Sequence, residues 1–133
     1  MRRTSTRWTA LAVALALVGP VTGCVAAAAA GAAGAIYATT RGVESLVNGS
    51  VSDVTARAKA VMAEMNIAPE GEETHTAGDK HELKGKQGDL DVTISMERSD
   101  SATTKVEVAA RKNLAEWDKD YARTVLERIV KKD

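Results

Sequence analysis

From Trp8 to Ala38 the chain carries no charged side chain, and that run decides how much sequence is left to fold. Arg2, Arg3 and Arg7 precede it without a single acid. Trp8 to Val18 (WTALAVALALV) is rich in Ala, Leu and Val. This stretch fits the roughly 7–15 residues of a secretory h-region and falls short of the ~20 that span a bilayer. Gly19 and Pro20 interrupt a helix at its end, and Val21-Thr22-Gly23-Cys24 follows. If residues 1–23 are an export signal to be removed, 110 of the 133 residues remain. That is enough for one domain and too few for two.

The Val21-Thr22-Gly23-Cys24 tetrapeptide resembles the lipobox of bacterial lipoproteins: a branched apolar residue, two small residues, then cysteine. The resemblance implies cleavage between Gly23 and Cys24. It also implies a diacylglyceryl group on the Cys24 thiol and an acyl chain such as palmitate on the new amino terminus. One chain holds a protein on a bilayer only marginally, whereas two or more make attachment stable. The implied partner is membrane lipid, reached through acylated Cys24. In lipoproteins of two-membrane bacteria an aspartate after the cysteine commonly retains the protein on the inner membrane. Val25 stands there instead, which implies the outer membrane, facing the periplasm, in such an envelope. Two other readings stay open. Small residues at Ala26–Ala30 offer A-x-A sites for an ordinary signal peptidase, releasing a soluble exported protein. An uncleaved Trp8–Ala38 run could act as a membrane helix, although Gly19-Pro20 interrupts it and Ala and Gly contribute little transfer energy.

Removing Arg2, Arg3 and Arg7 leaves 15 basic residues against 18 acidic. A mildly acidic product argues against a nucleic-acid partner, which needs a clustered basic face. Cys24 is the only cysteine, so an internal disulfide and a cysteine-built zinc site are excluded. Beyond the signal the aromatics are Tyr37, Trp117 and Tyr121 alone, too few for base-stacking platforms.

Residues 24–42 read as lipid anchor and tether. Val25 to Ala38 holds nine alanines and two glycines in fourteen residues. Gly31 and Gly34 also suit a close helix-packing face, but so short and weakly apolar a stretch fits a tether better. Residues 43–133 read as the domain. Val43 to Val51 reads as a short irregular strand. Ser52-Asp53 reads as a helix start, and Val54, Ala58, Val61, Met62 and Met65 form an apolar stripe of helical period. Asn66 and Pro69 close that helix. Ile67 to Gly88 has no clear period; within it Glu82-Leu83-Lys84 reads as the end of a strand. Leu90, Val92, Ile94 and Met96 alternate with polar residues, as do Val106, Val108 and Ala110, and turn chemistry at Ser99-Asp100-Ser101 joins the two strands. Asp118 or a near neighbour starts a last helix, which buries Tyr121, Val125, Leu126, Ile129 and Val130. Each element has one apolar side to hide. The expected fold is therefore α+β: an antiparallel sheet of three to four strands with two helices packed on one face, in the order β-α-β-β-β-α.

The VTGC lipobox, the Ala/Gly run ending in Ile36-Tyr37, the Gly42 that follows and the helix–meander–helix order together resemble a family of small bacterial lipoproteins of unknown function, over about Cys24 to Lys132. The resemblance implies a location and a small α+β fold, and it brings no activity. Family members carry an arginine followed by a glycine-rich stretch after the last strand. Arg111-Lys112-Asn113-Leu114 lacks the glycine, so no role passes to Arg111.

Catalytic residues, metal ligands and cofactors are expected to be absent. No G-x-S-x-G, P-loop or G-x-G-x-x-G occurs. Glu72-Glu73 and Asp89/Asp91 lack the apolar surroundings that raise a carboxyl pKa for acid work. His75 and His81 lie six apart with Gly78 between them, near Glu72, Glu73, Asp79 and Glu82, and read as solvated loop residues rather than a zinc or copper site. Lys80, Lys84 and Lys86 are interrupted by acids and read as a wet surface. Trp117 is either a core plug or a partner anchor. The expected role is that of a non-enzymatic, membrane-anchored envelope lipoprotein, a structural or assembly partner of an envelope protein. The alternative is a binding module for a small ligand or envelope polymer. An open groove between sheet and helices with converging polar groups separates the second from the first.

Overall fold

The computed structural model describes residues 34–132. The expected signal peptide 1–23, the expected cleavage between Gly23 and Cys24, the expected lipidation of Cys24, and Gly31 fall outside the described residues. The elements are β1 (Tyr37–Ala38), β2 (Gly42–Asn48), α1 (Val51–Glu64), β3 (Ala68–His75), β4 (Lys80–Gln87), β5 (Leu90–Arg98), β6 (Thr103–Arg111) and α2 (Lys119–Lys131), with a short 3-10 turn over Thr76–Gly78. All six strands form one antiparallel sheet in the order β1-β2-β6-β5-β4-β3.

A three- to four-stranded sheet in β-α-β-β-β-α order is thereby overturned, while the α+β class stands. The extra strands have no apolar alternation to announce them. β3 reads APEGEETH, and every one of its residues is exposed, because it is the sheet's edge and α1 does not reach over it. Its neighbour β4 buries only Leu83 and Gly85. β1 is two residues long and lies inside the stretch assigned to the tether. It is nonetheless docked: Gly34 N donates to Leu46 O at 2.8 Å, and Ile36 packs against the core.

The core lies between the sheet and the two helices. Val43 and Val47 of β2, Val106, Val108 and Ala110 of β6, Val92, Ile94 and Met96 of β5 and Leu83 of β4 face the helices. Val54, Ala58, Val61 and Met62 of α1 and Ala122, Val125, Leu126 and Ile129 of α2 meet them. The period-2 pattern of the strands and the period-3.6 pattern of the helices both point into this layer. Outside it, the opposite sheet face is wet and charged. One row across it carries Glu73, Glu82, Ser95, Glu107 and Glu44 on adjacent strands.

α1 starts two residues earlier than Ser52-Asp53 suggests. Ser50 is the N-cap: Asp53 N donates to Ser50 Oγ at 3.1 Å, and the Asp53 carboxylate accepts from Ser50 N at 3.4 Å. This is a reciprocal capping box, and it satisfies two amide groups that the first turn leaves free. Asp118 caps α2 by accepting from Tyr121 N at 2.9 Å. No helix among the described residues is long and apolar enough to cross a membrane.

Candidate functional site: a cleft between α1 and the β3–β4 hairpin

Because β3 runs past the edge of α1, the helix-facing side of β3 and β4 is left uncovered along one flank. Two adjoining hollows fill that flank. The larger has a volume of about 470 Å³ and is lined mainly by Met62, Ala63, Ile67, Pro69 and Leu83, with Lys59 and Glu72 at its rim. That volume is in the range of small-molecule sites. The other hollow, about 380 Å³, lies toward the start of α1, among Ser52, Thr55, Ala56, Gly78 and His81, and shares Lys59 and Glu72. The cleft is therefore apolar at one end and polar at the other, with one ion pair at the junction.

Glycine shapes the floor. A Cβ on Gly85 would sit 2.6 Å from Met62 Cε, 2.7 Å from Ile67 Cγ2 and 2.9 Å from Ala68 O. Only a residue without a side chain lets α1 and the loop after it close down on β4 here.

The junction is a chain of four polar side chains. Glu72 Oε1 accepts from Lys59 Nζ at 2.7 Å and from His81 Nε2 at 2.6 Å. An ionised carboxylate only accepts, so Nε2 carries a proton. In the neutral ring Nδ1 is then an acceptor, and the Thr74 hydroxyl donates to it across 2.9 Å. Lys59 and His81 hold the Glu72 carboxyl below its usual range, Lys59 being the larger cause. On the other sheet face Lys84 does the same for Glu73, across 2.7 Å. Thr55 Oγ1 beside the polar hollow is buried without a hydrogen-bond partner, a state that costs on the order of 1–3 kcal/mol.

The two histidines are not loop residues, which corrects the sequence reading. Register pairs Thr74 with His81 and His75 with Lys80, so the rings lie on opposite faces of a hairpin. His81 keeps only 15 % of its side chain exposed, and His75 is paired with Glu73 at 3.4 Å. Among the described residues no group of three or more His, Cys, Asp or Glu side chains is arranged to hold a metal ion.

Thr74, His81 and Glu72 form a hydroxyl–imidazole–carboxylate series, the ordering used to activate a nucleophile. Nucleophilic catalysis also needs donors aimed at the developing oxyanion. The one hydrogen bond of the Thr74 side chain among the described residues goes to His81. What the arrangement offers directly is recognition: an apolar wall beside a half-exposed cation–anion pair and a buried hydroxyl without a partner.

Sequence reasoning missed this cleft because its parts are scattered over α1, β3 and β4. The one available signal was the alternation of Glu72, Thr74 and, across the turn, His81, which is legible only once the hairpin register is known. Trp117 is half-buried at a second, polar hollow with Lys84, Thr93 and Arg111, and the Arg41 guanidinium lies over its ring at 5.9 Å. It is neither a full core plug nor a free anchor. Set against models of protein families, curated proteins and solved structures, the chain has no match.

Proposed function

We propose that this chain is a lipid-anchored cell-envelope domain that binds a small amphipathic ligand and performs no catalysis. Cys24 is the attachment point, on the strength of the basic, apolar and VTGC segments arriving in order. Val25 directs the protein to the outer membrane where the envelope has two membranes. The observation that carries the binding role is the cleft between α1 and the β3–β4 hairpin, open where a sheet and its helices ordinarily close. The ligand's apolar part lies against Met62, Ile67 and Leu83, and its polar end exchanges with the Lys59–Glu72 pair. A structural or assembly role draws less support from the surface. Tyr37 and Leu114, the latter 95 % exposed, are the large apolar side chains exposed among the described residues, fewer than a docking patch uses.

Two measurements test this. Mass spectrometry of the membrane fraction is expected to find a lipid-sized increment on a peptide beginning at Cys24; an unmodified N-terminus further along rules the anchor out. Titration with anilinonaphthalene sulfonate, an apolar fluorophore with an ionic group, is expected to show one saturable site. Ala63→Trp, which fills the cleft from an exposed position on α1, is expected to abolish it without lowering the melting temperature. Absence of saturable binding, or binding untouched by Ala63→Trp, removes the ligand role.

A further inference from the structure

The charges of the described chain are distributed unevenly. Outside α2, eight of eleven lysines and arginines form ion pairs with carboxylates, Lys59, Lys84, Arg98 and Arg111 among them. On α2, none of the four does so among the described residues: Lys119, Arg123, Arg128 and Lys131 all stand exposed, with Asp120 and Glu127 the only acids of that helix. The helix dipole accounts for Arg128 and Lys131 in the last turn. It disfavours Lys119 in the first turn and does nothing for Arg123 in the middle, so a basic α2 needs a second reason.

The point of chain entry supplies one. Gly34 packs against Val130, where a Cβ would lie 3.2 Å from Val130 Cγ1, and it shares a shallow hollow with Arg123, Glu127 and Lys131. Lys119 Nζ donates to Thr39 O at 2.8 Å. The first described residues, Gly34 and Thr39, thus lie beside α2. Nine residues lie between Cys24 and Gly34, so the ten steps from one to the other span at most about 35 Å. A lipid-anchored Cys24 keeps α2 within that reach of the bilayer. The sheet face turned away from α2 carries the glutamate row of Glu44, Glu73, Glu82 and Glu107. There Lys84 is taken up by Glu73 and Glu82, Lys105 by Glu97 and Arg111 by Asp91, so this face offers anionic headgroups fewer unpaired cations than α2 does.

We infer that α2 is the membrane-facing side of the domain, with Arg123, Arg128 and Lys131 resting on anionic phospholipid headgroups and the glutamate row pointing away. This rests on the lipid-anchor reading of Cys24 and goes beyond the ligand role. The contact is electrostatic, so it depends on anionic lipid and weakens as salt is raised.

The test uses the protein as purified from the membrane fraction of expressing cells, reconstituted on vesicles of phosphatidylcholine alone or mixed with phosphatidylglycerol. A thiol-reactive fluorophore is placed at Thr124→Cys, on the exposed side of α2, or at Glu97→Cys, exposed on the far sheet face, with unsubstituted protein as the labelling control. Iodide quenching of the Thr124 position is expected to fall at least about threefold on the anionic vesicles only. High salt, or Arg123→Gln/Arg128→Gln/Lys131→Gln together, is expected to restore it, and the Glu97 position should stay quenchable throughout. Equal quenching at Thr124 on both compositions overturns the orientation, and co-flotation with neutral vesicles in that case leaves the anchor standing. Flotation with anionic vesicles alone keeps the α2 contact and removes the anchor; flotation with neither removes both.

Discussion

Two glycines decide where main chain can approach main chain, and they differ in what surrounds them. A Cβ on Gly42 would fall 1.9 Å from Val108 O and 2.9 Å from Ala109 Cα, both backbone atoms of β6. At Gly85 the nearest obstacle is Met62 Cε, the far end of a flexible side chain. Overpacking of a filled interior costs about 1–3 kcal/mol. Gly42→Ala is therefore expected to lie at or above the top of that range, and Gly85→Ala, which also meets Ile67 Cγ2 at 2.7 Å and the Ala68 carbonyl oxygen at 2.9 Å, inside it, read from urea denaturation. Equal costs would show that β2 and β6 can separate locally without loss. Neither glycine announces this in the sequence. Gly42 stands next to Arg41 like any turn residue, and Gly85 repeats with Gly88 like a loop. Ser45 and Thr104 are similar cases: polar by type and buried by position, the Thr104 hydroxyl being satisfied by donation to Gly49 O at 2.9 Å.

Among the elements, legibility followed burial. β5 and β6 are central and half-buried, so their alternation is clean in the sequence and appears in the sheet as read. α2 is amphipathic, so its buried stripe is legible, and Asp118, near which the helix is expected to start, is its N-cap. The edge strand β3 had nothing to read, since a strand covered on neither face has no apolar side. What it shows instead is protection. Pro69, a register shift between Pro69 and Gly71, and the helix-side charge of Glu72 discourage a second chain from pairing with it. The start of α1 was misplaced because Ser50 and Ser52 are both acceptable caps. Only Ser50 stands three residues before Asp53, the spacing that closes a reciprocal box. Ser50→Ala is expected to cost about 1 kcal/mol in stability, with little loss on Ser52→Ala. Denaturation of the two variants side by side checks this, and a larger loss at Ser52 would move the cap.

For the molecule as a whole the charges set a direction of pH response. Asp53, Glu72, Glu73 and Asp100 all have carboxyl pKa values lowered in the fold. The leading causes are hydrogen bonds from Ser50, Lys59, Lys84 and Thr103 respectively. A carboxylate depressed on folding adds stability that is fully present above its unfolded pKa, near about 4. That stability is lost as pH falls through the lower folded value. Urea midpoints are expected to be level from neutral pH to about 5 and to fall below about 4. Glu72→Gln and Glu73→Gln should each flatten the fall, and Glu72→Gln should also loosen the Lys59 end of the cleft. An unchanged slope in both variants would assign the acid response to other groups.

Read alone, the sequence determined the α+β class of one small domain and raised the expectation of an export signal with a lipobox-like end ahead of it. It also determined that two amphipathic helices and two central strands share a core, since apolar period is a local property of each segment. The tertiary structure decided what non-local contact creates: the six-strand count, the opposite faces taken by His75 and His81, the ion pair across the cleft, and the side of the domain from which the chain leads back toward Cys24. These depend on hairpin register and on how far α1 extends over the sheet, and neither is encoded in the spacing of residues along any single element.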